Sequence, residues 1–484
     1  ADEIRHLVPD VETLAQRLAA VDYLVDEALA TSMFLSLRLP QPLLLEGEAG
    51  VGKTEAGKSL ATVLDTPLVR LQCYDGIDAA EALYEWNYPK QLLSIRVAEA
   101  RGEPLREEDL FGRDYLIRRP LLRALEHDAA LVGRRAAGHR GRPDLRHVGA
   151  HRSERAVDPA RRGDLLLLRR ALQAGLRAAG MTRVTGEAAD EIRHLVPDVE
   201  TLARRLAAVD YLVDEALATS MFLSLRLPQP LLLEGEAGVG KTEAGKSLAA
   251  VLDTPLIRLQ CYDGIDAAEA LYEWNYPKQL LSIRVAEARG EPLREPDLFG
   301  RDYLIRRPLL RALEHPGPRP ALLLVDEIDR ADDDFEAFLL ELLAEAAVTI
   351  PEIGTVRATH PPIIVLTSNR TRDLHDAVKR RCLYQWIDYP SPAREVEIVR
   401  RRVPAASQAL AVQVADAVAR MRDSDVQKPP GVAEAIDWVA ALTVLGVNEL
   451  DVSAIDRTLG SVLKYAEDQD VVRAAGLEQL VGRQ

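Results

Sequence analysis

"LLLEGEAGVGKTEAGKSLA" occupies residues 231–249, and the same letters stand at 43–61. Within the later copy, Gly235-Glu236-Ala237-Gly238-Val239-Gly240-Lys241-Thr242 fits the phosphate-loop pattern G-x-x-x-x-G-K-[ST]. The apolar run Leu231–Leu233 before it predicts a strand, and "TEAGKSLAAVL" after it predicts a helix. That strand–loop–helix setting is what the pattern requires. Glycines let the backbone curl so that successive N–H groups face an anion, and the helix N-terminus adds partial positive charge. Lys241 is expected to reach the β- and γ-phosphates, with the Thr242 hydroxyl on Mg²⁺. The loop therefore predicts a nucleoside triphosphate site.

Working outward, an offset of 188 pairs residues 1–127 with 189–315 at all but four positions: Gln16/Arg204, Thr62/Ala250, Val69/Ile257 and Glu108/Pro296. Solenoid repeats are shorter and diverge, so this is a duplicated domain fragment. After His127 and His315 the likeness stops. Residues 128–180 hold 12 Arg and no Lys, aromatic, Ile, Thr, Asn or Met, a composition that reads like a slipped reading frame. Met181 then stands just ahead of the later copy. The expected organisation is a truncated duplicate at 1–127 and an Arg/Ala/Gly-rich disordered linker at 128–188. An α/β core at 189–390 and a helical lid at 391–484 complete it. On this reading 181–484 is a complete protein of 304 residues. A functional basic linker is the competing reading, but no aromatic interleaves its Arg clusters.

Composition narrows the function classes. The chain has 484 residues, 47% of them apolar and 28% charged, as in a globular protein. A net charge of −15 argues against non-specific attraction to nucleic acid or anionic membrane. Cys73, Cys261 and Cys382 make no disulfide framework or metal spacing, which suits a reducing cytoplasm. No apolar run approaches the roughly 18 residues of a membrane span, and the opening segment from Ala1 is charged and amphipathic, which reads unlike a signal peptide.

Phosphoryl transfer also needs metal coordination, an aligned water and positive charge at the γ-phosphate. "ALLLVDEIDRAD" (321–332) predicts a buried strand ending in Asp326 and Glu327. Asp326 is expected to hold the Mg²⁺ shell and Glu327 to polarise the attacking water. "PPIIVLTSN" (361–369) is a second strand, ending in Asn369, which can orient water beside the γ-phosphate. Arg380 and Arg381 follow, where a protruding cationic finger is needed, and Lys428 precedes a Pro-Pro turn and a helix start.

This series, followed by an all-helical tail, resembles the AAA+ ATPases over nearly all of 200–484, and within them the MoxR type. "LQCYDGIDAAEALYEWNY" (259–276), "DDDFEAFLLELLAEAAVTIPEIG" (332–354) and "QKPPGVAEAIDW" (427–438) are most similar to the CoxD-like branch. That branch is associated with maturation of molybdenum–copper carbon monoxide dehydrogenase. The resemblance implies an ATPase acting on a client protein, a metalloenzyme or a von Willebrand A-type protein, from a homo-oligomeric ring, a hexamer. It gives Lys241 and Thr242 the Walker A roles, Asp326 and Glu327 the Walker B roles, and Asn369 the sensor role. Arg381 aligns with the arginine finger, with Arg380 as the alternative. Lys428 takes the second-sensor place, where relatives usually carry Arg. A nucleic-acid-directed motor and a non-hydrolysing nucleotide-gated scaffold are the alternatives. The acidic balance speaks against the first, the Asp326-Glu327 pair against the second.

For the fold, the expectation is a P-loop parallel sheet flanked by helices, with a hairpin in "AVTIPEIGTVRATH" (347–360). The acid-bearing strand is expected directly beside the P-loop strand. The first copy, stopping at His127, lacks that neighbour and every carboxylate, sensor and finger candidate. One hydrolytic site is expected, around Lys241.

Overall fold

The computed structural model describes residues 2–48, 51–71, 83–87, 90–91, 94, 113–125, 187–265, 267–289, 295–350 and 352–481. The expected linker, except Glu187 and Ala188, lies outside them, as does Cys73. The described residues divide between two units, one drawn from 1–158 with 276–298, the other from 159–275 with 299–484. Among them, no helix is long and apolar enough to cross a membrane.

The second unit is built on five parallel strands: β1 (Leu231–Gly235), β2 (Leu256–Gln260), β3 (Leu322–Asp326), β6 (Ile363–Ser368) and β7 (Leu383–Ile387). Their order is β7-β1-β6-β3-β2, all pairs parallel. Every residue of β1, β3 and β6 is buried, which is why these strands read as unbroken apolar runs instead of alternating ones. The expectation that β3 adjoins β1 is corrected by the pairing: β6 lies between them. Strand order is set by pairing across the sheet, and no local pattern in β1 or β3 encodes it.

The helix after the loop, α1 (Lys241–Leu252), starts at Gly240, whose φ of 96° only glycine adopts without strain. On α1's side of the sheet, Ala244 and Leu248 share a buried cluster with Leu231, Leu233, Leu322, Leu324 and Val365. On the other side, Leu232, Leu323, Val325 and Leu366 pack with Phe335, Leu339 and Leu342 of α2 (Asp333–Glu345). Asp332 caps α2 by accepting from Phe335 N at 2.8 Å. The expected hairpin is present: β4 (Ala347–Ile350) pairs antiparallel with β5 (Gly354–Arg357).

After β7 the chain is helical, as expected: α3 (Pro392–Arg402), α4 (Gln408–Arg422), α5 (Val432–Val444), α6 (Val452–Val462) and α7 (Ala466–Ala475). Their apolar faces close a separate core around fully buried Trp438. The indole N–H of Trp438 donates to Thr458 Oγ1 at 2.7 Å, so its burial leaves no unmet donor.

In the first unit, helices Val11–Ala19, Glu27–Ser36 and Lys53–Val63 repeat the corresponding helices of the second. The copied P-loop strand does not form. Residues 42–48 have no strand structure, and Leu44 is 77% exposed where its identical counterpart Leu232 is fully buried. The two strands flanking β1 are β6 and β7, and both come from sequence found only after His315. Without them the same letters leave backbone donors and acceptors to water.

This pair is an internal control on burial. Leu232→Ala is expected to lower stability by about 2–5 kcal/mol, the usual cost of such a cavity, and Leu44→Ala by under about 0.5 kcal/mol. The urea midpoint of each variant measures it, and equal shifts would contradict the assignment.

Candidate nucleotide site

The C-terminal ends of β1, β3 and β6 open onto one place, the crevice where ligands bind in open α/β sheets. The loop from Gly235 to Thr242 curls through Gly238, with φ of 75°, into Gly240. Lys241 is buried, and its ammonium donates to the carbonyls of Gly235 at 2.7 Å and Glu236 at 2.6 Å. Burial pushes that ammonium down to about 8, against the opposing pull of Asp329, Glu236, Asp326 and Glu327.

Asp326, at the end of β3, is the buried hub. The Thr242 hydroxyl donates to its Oδ1 at 2.8 Å, and the Thr367 hydroxyl from β6 donates to the same oxygen at 2.5 Å. Arg258 of β2 donates through Nε to Oδ2 at 2.9 Å and also through Nη2. Thr242 and Asp326 thus offer hard oxygens side by side, the donor chemistry Mg²⁺ takes alongside phosphate oxygens. The glycine-rich curl supplies the anion cradle. These residues fit an NTP and its divalent cation.

Glu327 follows in a left-handed conformation, φ 55°, an uncommon one for a side-chain-bearing residue. Its N–H donates to Thr367 Oγ1 at 3.0 Å, and its half-exposed carboxylate pairs with Arg330 at 2.8 Å. Asn369 stands one residue past β6, with its N–H donating to Asp329 Oδ1 at 3.1 Å. Asp329 is buried and also accepts from the Thr371 N–H at 2.9 Å and hydroxyl at 2.7 Å. It therefore clamps the turn carrying Asn369 to the turn carrying Glu327.

Other residues singled out in the sequence stand elsewhere. Arg380 and Arg381 follow the short helix Asp376–Lys379 and are exposed; Arg380 pairs with Asp376 at 3.3 Å and Arg381 donates to Ala377 O at 3.1 Å. Lys428 is exposed, and its backbone N–H donates to Asp468 Oδ2 at 3.1 Å. What the helical region brings to the loop is the start of α5. Val432 N and Ala433 N donate to Gly238 O at 3.1 and 3.3 Å. A Cβ on Gly431 would lie 2.6 Å from Gly238 Cα, so this approach requires glycine. Glu434 closes the turn by accepting from Gly431 N at 3.0 Å.

Beside the loop lies a largely apolar cavity of about 330 Å³, lined by Tyr211, Leu212, Val239, Tyr389, Pro390 and Ile436 among others. Its volume falls in the range of small-ligand pockets, and Asp210, Asp214, Glu243, Asp388, Arg394 and Arg402 add charge to the lining. Tyr211, Asp329, Thr367 and Arg258 were not singled out from the sequence. Thr367 had a legible signal as a polar residue ending an apolar strand, and Arg258 as a charge within "LIRLQ". Tyr211 and Asp329 had none, because their roles arise only when distant segments meet.

Residues 230–382 match the family model of the AAA domain, dynein-related subfamily. Two curated relatives are similar. Protein NorQ of Paracoccus denitrificans is 25% identical over 269 residues, covering 52% of this chain and 84% of NorQ. Denitrification regulatory protein NirQ of Stutzerimonas stutzeri is 25% identical over 209 residues, covering 41% of this chain and 66% of NirQ, just under two thirds of its length. Among solved structures, the RuvB Holliday junction branch migration motor of Thermotoga maritima aligns with 17% identity and a TM-score of 0.30, over 54% of this chain and 68% of its own. A putative ATPase from Cytophaga hutchinsonii aligns with 15% identity and a TM-score of 0.30, over 60% and 94%. Structural scores this low support no inference about function. By the match at 230–382, the protein is an ATPase.

The depressed Lys241 ammonium has a measurable consequence. Phosphates are held by the charged form, which loses its proton as pH rises through about 8. Calorimetric titration should find ATP binding about tenfold weaker at pH 9 than at pH 7, the free-energy equivalent of one pKa unit. Lys241→Arg, which stays charged, should flatten the profile. A flat wild-type profile would contradict the assignment.

Proposed function

We propose that the protein couples Mg²⁺-dependent ATP hydrolysis to the remodelling or maturation of a partner protein, working as a homo-oligomeric ring. The observation that carries the hydrolytic half is the convergence of the Thr242 and Thr367 hydroxyls on the Asp326 carboxylate. A bound Mg²⁺ would supply positive charge against the charge developing on the phosphates. Thr242 and Asp326 hold that cation, and Lys241 turns its ammonium from the loop carbonyls to the β- and γ-phosphates. Glu327 leaves Arg330 and accepts a hydrogen bond from the attacking water, polarising it, while Asn369 orients the same water. Gly431 and the first turn of α5 lie on the loop itself, so the helical region senses nucleotide through backbone contact. Lys428 remains the candidate cation for that sensing.

Arg381, with Arg380 beside it, is exposed on the protein's surface and is assigned to a neighbouring subunit's γ-phosphate. The partner half of the proposal rests on the family resemblance and on the similarity to NorQ and NirQ, the latter a denitrification regulatory protein. A metalloenzyme client, of the molybdenum–copper carbon monoxide dehydrogenase type, is the reading the CoxD-like segments favour.

Glu327→Gln should bind ATP with near-normal affinity and lower turnover by about 10²–10⁴, the usual contribution of a general base. Nucleotide retention together with phosphate release measures both, and near-normal turnover would remove Glu327 from the mechanism. Arg381→Ala should lose about 10³–10⁵ in rate if it is a finger. Mixing it with Glu327→Gln subunits should restore part of the activity, because each supplies what the other lacks. Mixtures that exchange subunits yet stay inactive would rule out the arrangement between neighbours.

A further inference from the structure

Arg258 has no part in the hydrolytic steps, yet it touches the carboxylate at the centre of them. It lies on β2, the edge strand beside β3, in register with Leu324, while Gln260 is in register with Asp326. Residues 256, 258 and 260 therefore share one face with 322, 324 and 326, and it is the face α1 covers. From there the Arg258 side chain reaches along the strand to Asp326 Oδ2, through Nε at 2.9 Å and through Nη2. Its Nη2 also donates to Gln260 Oε1. The two partners are unequally placed: the Arg258 side chain is 45% exposed and that of Asp326 only 2%.

A carboxylate taken out of water is costly unless a charge or several donors compensate it. Two hydroxyls serve Oδ1, and the guanidinium serves Oδ2. A divalent cation held by Thr242 and Asp326 would add two positive charges at the same carboxylate, where the guanidinium already stands. Two cations that close repel strongly in a part-buried site. The mobile member is Arg258, which is long, half-exposed and already bonded to an alternative acceptor in Gln260.

We propose that Arg258 is the resident counter-ion of Asp326 in the nucleotide-free protein and yields to the incoming divalent cation. It thereby sets the Mg²⁺ concentration at which the site loads. The inference rests on the reading of Asp326 as the metal-holding carboxylate, and it makes Arg258 a positioning residue. Arg258 holds the Asp326 carboxylate aimed while no metal is present, and it prevents loading at low Mg²⁺.

The test is binding, not turnover. In the full chain carrying Glu327→Gln, the anisotropy of a fluorescent ATP analogue is followed as Mg²⁺ is raised, with and without Arg258→Gln, Arg258→Lys or Asp326→Asn. Arg258→Gln should lower the Mg²⁺ midpoint by about two- to fivefold, the upper range of a part-exposed ion pair. Arg258→Lys, which keeps the charge but loses the two-point contact, should fall between. Asp326→Asn should raise the midpoint. A midpoint unchanged or raised by Arg258→Gln overturns the proposal and leaves the metal assignment standing, provided Asp326→Asn raises it. If Asp326→Asn leaves the midpoint where it was, or the parent binds the analogue independently of Mg²⁺, the metal reading itself fails and the proposal with it.

Discussion

The Asp326 carboxylate joins the elements that make this protein an enzyme. Thr242 reaches it from the start of α1, Thr367 from β6 and Arg258 from β2, so one side chain ties the loop helix to two strands. Each contact spans more than forty residues of sequence, and those of Thr367 and Arg258 come from the two strands that pair with β3 on either side. The sheet's role is to bring these groups to the same end of adjacent strands, and the apolar clusters on its two faces keep them there. A second clamp, Asp329, does the same for the turns that carry Glu327 and Asn369.

The duplicated N-terminal region separates local from tertiary causes. Lys53 donates to Gly47 O and Glu48 O, both at 2.6 Å, repeating what Lys241 does in the later copy. That contact spans only five or six residues, so the same letters suffice to make it. The strand before it is different. β1 is fully buried between β6 and β7, whereas residues 42–48 are not in a strand and Leu44 is exposed. A lysine bonded to its own loop is therefore no evidence of a working site. The contact between Thr242 and Asp326, which needs two distant strands, discriminates far better.

The same distinction explains what could be read from the chain. The P-loop, the acid pair after an apolar run, the hairpin at 347–357 and the helical tail were legible because each is a local pattern of spacing and polarity. The strand order was not. β6 separates β1 from β3, and nothing within those segments encodes which neighbour each takes. Asp329 and Tyr211 were overlooked for a related reason, since a single Asp or Tyr acquires meaning only from what folds against it. At the start of α5, attention to charge pointed to Lys428, while the groups at the loop are backbone amides and Gly431.

The proposal that only one of two identical phosphate loops is built into a working site is tested most directly by the two lysines. ATP turnover per chain, measured in the full protein carrying Lys53→Ala or Lys241→Ala, compares the same substitution in the same sequence. The expected result is an unchanged rate for Lys53→Ala and near-complete loss for Lys241→Ala. Loss of most activity in Lys53→Ala would make the first copy a working part of the enzyme and contradict the single-site account.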